Sequence, residues 1–166
     1  MGNGGLRVVG VALTVLVIVS ACGGTGADRK GPALSAEQRT VRHDYLAYWD
    51  AMLHANAVSD PDAAELATRA AGRQLSLVRE NLAHAREQGI IAKGTVGHQI
   101  RQVSVVERLG YVVDCVDVNQ WLQYEVASGV LKKDQLLQRP KQLAKFVLAP
   151  RDGAWLVTDT EELGGC

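Results

Sequence analysis

The sequence predicts an α+β domain, with three N-terminal helices packed on a curved antiparallel sheet of about four strands. Three observations carry this. Apolar residues recur at helical spacing as far as Gly89 and at strand spacing beyond it. The second half is divided by Arg108-Leu-Gly110, Ser128-Gly129 and Arg151-Asp-Gly153, turn signals short enough to join neighbouring strands antiparallel. Between Val96 and Val106 the apolar alternation changes phase once, which marks a bulge near Arg101-Gln102 and a strand that bends.

The first helix opens at Ser35-Ala-Glu-Gln38, a capping-box pattern. Val41, Tyr45, Tyr48, Trp49 and Met52 then form one apolar-aromatic stripe, and the helix ends near Asn56–Ser59. Asp60-Pro61 predicts a second, short helix with Asp60 as its N-cap, running to about Ala71, where Gly72 marks a bend. Asp60, Asp62 and Glu65 lack the spacing and central glycine of a calcium loop, so they read as helix-start charges. Leu75, Val78, Leu82 and Ala85 define a third helix, with Gly89 placed to cap its C-terminus.

The β half reads as follows. One interrupted strand spans Ile90–Val106, and a second, central strand returns over Tyr111–Trp121. Lys141–Leu148 and Ala154–Asp159 complete the sheet, and Glu161–Cys166 reads as a tail. Asp114 and Asp117 are three apart on the central strand and so face opposite ways.

Composition sets limits. The chain has 166 residues, 47% hydrophobic and only 5% aromatic, so the core must be largely aliphatic. Lys plus Arg equals Asp plus Glu at 18 each, which leaves no global field to recruit nucleic acid. The basic stretch Lys132, Lys133, Arg139, Lys141 and Lys145 reads as a solvated loop and outer strand face. The glycines at 23–31 follow no strand and precede no Lys-Ser/Thr pair, which excludes a phosphate loop. His43, His54, His84 and His98 form no zinc-type pair, and no nucleophile elbow is present, so no metal and no cofactor is expected.

Residues 1–21 have the parts of a secretory signal: Arg7, then an apolar run of about a dozen residues, short of the roughly 20 a membrane span needs. Val19-Ser-Ala-Cys22 resembles a bacterial lipobox. The resemblance implies an acylated Cys22, a flexible tether over 22–34, a domain over 35–166, and anchorage in the lipid bilayer on the extracytoplasmic face of the cell membrane. With Cys22 assigned, Cys115 and Cys166 remain as an even pair in a compartment where thiols oxidise, and a disulfide is expected between them.

Tyr45, Tyr48 and Trp49 on the first helix, the bulged strand and Asp152-Gly-Ala-Trp155-Leu-Val157 together resemble the nuclear-transport-factor-2-like superfamily. More narrowly, Asp114-Cys-Val-Asp117 with Cys166 resembles small actinobacterial lipoproteins of that fold. The resemblance implies a cone enclosing a pocket between the first helix and the sheet. Its candidate lining is Tyr45, Tyr48, Trp49, Met52, His98, Asp114, Asp117 and Trp121. The expected role is a binding or accessory module for a small apolar ligand or an envelope partner protein. The alternatives are an isomerase- or cyclase-like enzyme using the same pocket, and a scaffold with the pocket filled. A carboxylate buried in the cavity beside a tyrosine would favour the enzyme.

Overall fold

The structure, a computed structural model, describes residues 33–133 and 139–166. The signal, lipidation and tether readings, Cys22 included, fall on residues outside these.

Helix α1 spans Ala36–Val58. Its capping box is reciprocal: the Gln38 backbone N–H donates to Ser35 Oγ at 3.1 Å, and the Ser35 N–H donates to Gln38 Oε1 at 2.8 Å. The stripe from Val41 to Met52 is buried, joined by Asp44, Ala51 and Ala55. Ser59 ends the helix in the left-handed region (φ 50°), and its hydroxyl donates to the Ile90 carbonyl.

The second helix starts later than Asp60-Pro61 predicts. Asp60 Oδ1 accepts the Asp62 N–H at 3.0 Å and so closes a turn instead of capping a helix. Helix α2 is only Ala64–Arg69, with no side-chain cap. Gly72, at φ 55°, makes the expected bend and opens α3, Gly72–Glu87.

Six strands follow: β1 Ile90–Gly94, β2 Gly97–Val106, β3 Leu109–Asp117, β4 Trp121–Glu125, β5 Gln142–Arg151 and β6 Ala154–Gly165. Strands β2, β3, β5 and β6 form one antiparallel sheet in the order β2-β3-β5-β6. Strands β1 and β4 pair with each other as a separate ribbon. Both long strands read from the sequence are therefore divided, one after Gly94 and the other after Asp117. At the first break Gly94 adopts φ 119°, and its missing Cβ lets the chain lie against the Gln120 carbonyl. At the second, Asp117 Oδ1 accepts the Asn119 N–H at 3.0 Å and turns the chain out of the sheet. The expected tail is strand as well, since β6 runs alongside β5 to Gly165 and the Cys166 N–H donates to the Lys141 carbonyl at 3.1 Å.

Two tight hairpins set the register. Glu107 and Arg108 (φ 50° and 66°) join β2 to β3, and Asp152 and Gly153 (φ 51° and 85°) join β5 to β6. The bulge lies where the phase change predicts it, between Ile100 and Gln102, and two further register shifts interrupt β5–β6. Bulges bend and twist a sheet, and these curve it around α1.

The inner face follows from the pairing: Asp114 lies beside Ile100 and Ala144, and Val112 beside Val103 and Phe146. Cys115 points the other way and forms a disulfide with Cys166 across a Cα–Cα distance of 6.0 Å. A single core joins the α1 stripe to Leu66, Val78 and Leu82 of the other helices and to Val112, Phe146, Leu148 and Val157 of the sheet.

Candidate ligand-binding cavity

The tallest side chains of α1 do not fill the space above the sheet. Between α1, α3 and the inner faces of β3, β5 and β6 lies a cavity of about 370 Å³, open on one side. A ligand pocket typically falls between ~300 and 1,000 Å³, so this one suits a small molecule. Tyr48, Trp49 and Met52 of α1 form one wall and Trp121 at the start of β4 another. Leu77, Val78 and Leu82 of α3 face them, and Val116, Ala144 and Phe146 of the sheet form the floor.

Glu162 is the one charged residue among the described lining, and Gln142 Nε2 donates to its Oε1 at 3.3 Å. With no cation in the lining, an anionic ligand would lose its hydration without compensation. The cavity suits a neutral apolar molecule. Asn56 and Asn81 at the rim supply amides for a small polar substituent.

Tyr48 connects cavity to core. Its hydroxyl accepts from Gln74 Nε2 at 2.6 Å, and burial pushes the phenol up to about 12 despite that bond.

The sequence candidates divide into three groups. Tyr48, Trp49, Met52 and Trp121 line the cavity. Tyr45, His98 and Asp114 lie outside its lining and form a network of their own. Asp114 is fully buried; its Oδ2 accepts the Tyr45 hydroxyl at 2.7 Å and meets His98 Nδ1 at 2.6 Å. A carboxylate oxygen only accepts, so with Asp114 ionised the donor in this contact is the His98 Nδ1–H. Burial, then the adjacent Asp114 charge, raises the Tyr45 phenol far above its ordinary range, so Tyr45 is a fixed donor. The Trp49 indole N–H opposes that shift, although it makes no hydrogen bond of ordinary geometry. Asp114 Oδ1 has no partner.

Asp117 belongs to neither group. It faces the opposite side of β3, as strand period two requires, and pairs with Lys141 Nζ at 3.2 Å. Hydrogen bonds from Asn119, then Lys141, hold its carboxyl below the usual range.

The α3 wall went unassigned in the sequence. Val78 and Leu82 were legible as an apolar stripe, but a stripe does not reveal that part of it meets empty space instead of a neighbour. Phe146 and Thr160 were hidden by distance along the chain. Among the described residues no cluster of His, Cys, Asp or Glu could hold a metal ion.

No family profile and no curated protein matches the chain. Among solved structures it is similar to the intermembrane-space region of the chloroplast protein ARC6, with a TM-score of 0.60 and 15% identity. That match covers 81% of this chain and 100% of that one. The likeness is one of fold. Weaker matches are a conserved protein of Planctomyces limnophilus (TM-score 0.46, 12% identity, 75% and 93% coverage) and a chain named Rd1NTF2 (0.40, 11%, 73% and 98%). At those scores they carry no argument. The helices-then-sheet order and the bulged antiparallel sheet agree with the fold expected from the nuclear-transport-factor-2-like resemblance.

Proposed function

We propose that the protein is a membrane-anchored extracytoplasmic lipoprotein of the nuclear-transport-factor-2-like type whose domain binds a small neutral apolar ligand without transforming it. One observation carries the binding role: an open cavity of about 370 Å³ with a mostly apolar lining, from which the buried Asp114–Tyr45–His98 network is absent. Catalysis of the isomerase or cyclase kind needs a carboxylate and a donor within reach of the bound molecule. Here the right residue types are present but bonded to one another outside the cavity lining, where they hold α1 to β2 and β3. The anchoring half rests on the lipobox-like Val19-Ser-Ala-Cys22 and on Cys115 and Cys166 being bridged, a state that persists in oxidising compartments.

The test is fluorescence titration of the full chain with N-phenyl-1-naphthylamine, a neutral apolar probe, against the variant Ala144→Leu. Ala144 lies on the cavity floor, so the added carbons occupy ligand space. Saturable 1:1 binding by the native protein, weakened at least about tenfold in the variant, is expected. Equal binding by both proteins would overturn the cavity as the site. Mass spectrometry of the mature N-terminus tests the anchor separately, and an unmodified Cys22 would overturn it.

A further inference from the structure

A second concavity, of about 350 Å³, lies between α1 and β2 and shares no lining residue with the first. Its chemistry is the opposite. Arg42 of α1 and Arg101 and His98 of β2 line it, and no Asp or Glu does. Neither guanidinium meets a carboxylate among the described residues: Arg101 Nη2 donates to Gln99 Oε1 at 2.7 Å, and Arg42 has no ion pair. The bulge supplies one of these cations, because Arg101 is the extra residue between Ile100 and Gln102 with no partner across the ladder. His98 is held from behind by Asp114 through Nδ1, and its side chain is 17% exposed. Beside these groups Leu34, Leu46, Ile100 and Val103 supply an apolar floor.

The geometry points to a binding site for an anionic amphiphile in this groove, a ligand with one phosphate or carboxylate head and a short alkyl portion. Two guanidiniums match such a head in charge and in their forked donor geometry. The four aliphatic side chains shield the alkyl portion from water. The molecule then carries two sites of complementary selectivity: the cavity refuses anions for want of a cation, and the groove attracts them.

The experiment is calorimetric titration of the full chain in phosphatidylcholine nanodiscs with hexyl phosphate, hexanol and inorganic phosphate, for the native protein and for Arg42→Gln/Arg101→Gln. Both arginines are exposed, so the double variant should keep the native urea midpoint. Hexyl phosphate should bind 1:1, more tightly than inorganic phosphate. Its affinity should fall with added salt and drop at least about tenfold in the double variant. Hexanol should show no site that the double variant removes. Binding of hexyl phosphate that the double variant leaves unchanged would overturn the proposal, as would hexanol binding that the double variant weakens to the same extent. Repeating the titration with Ala144→Leu separates the two sites, because filling the cavity leaves groove binding intact. Loss of hexyl phosphate binding there would place the amphiphile in the cavity and overturn the groove assignment.

Discussion

Tyr45 and Asp114 are 69 residues apart in sequence and share a hydrogen bond between two fully buried side chains. Removing the hydroxyl with Tyr45→Phe leaves His98 as the remaining donor to Oδ2, beside an Oδ1 that has none. A destabilisation of about 1–3 kcal/mol is expected, read as a lower urea midpoint with an unchanged slope. The same burial predicts a pH dependence. Tyr45 and Tyr48 are raised above the phenol's unfolded value of about 10, so above that pH the unfolded chain releases protons that the folded chain retains. Their contribution is complete below pH ~10 and declines as pH rises toward the folded values. An ultraviolet titration should therefore show two of the four tyrosines ionising late, together with unfolding. Sequence reasoning found Tyr45, His98 and Asp114 as candidates because their types and strand positions are local facts. That they satisfy one another, instead of a ligand, depends on which helix face meets which strand, and no local pattern records that.

Elements were legible where their signals are short-range. Ser35 and Gln38 are three residues apart and fix the start of α1, and Ser35→Ala should lower stability by about 1 kcal/mol in thermal or urea unfolding. The phase change in β2 located its bulge for the same reason. Elements were misread where a contact with a distant segment decides. Gly94 ends the first strand where Gln120 lies against it, and β1 then pairs with β4 and not with the main sheet. Gly110 shows the same dependence without any unusual φ. A Cβ placed there would sit 2.9 Å from Val41 Cγ1 and 3.3 Å from Trp155 Cε3, where α1 crosses the sheet. Val41 is branched at Cβ and fully buried, so it cannot swing away. Gly110→Ala should destabilise by about 1–3 kcal/mol, by the same unfolding measurement, despite adding a single methyl.

At the scale of the whole molecule, the disulfide closes a loop with a sequence separation of 51 that contains β4, β5 and β6. Chain-entropy reasoning assigns such a loop about 3–4 kcal/mol, so Cys115→Ser/Cys166→Ser should unfold at correspondingly lower urea, and reductant should shift the native protein to match. Fold class was legible because helices and strands segregate along the chain. The cavity was legible only in part: its α1 wall is an aromatic stripe, whereas its size depends on how far α3 stands from the sheet, which side-chain pattern does not encode.

The bulge at Arg101 has a bearing on how such a protein can vary. Its pairings, Ile100 with Asp114 and Gln102 with Val113, would run on as an unbroken ladder if Arg101 were deleted. His98, Ile100 and Val103 would keep their orientation, while the bend and one guanidinium would be lost. A chain shortened by that residue should still unfold cooperatively but bind hexyl phosphate less well. His98, Ile100 and Val103 thus serve both interior and groove, and the bulge adds a charge beside them. Inserting or deleting one residue there would change the charge of the groove and the bend of the sheet together.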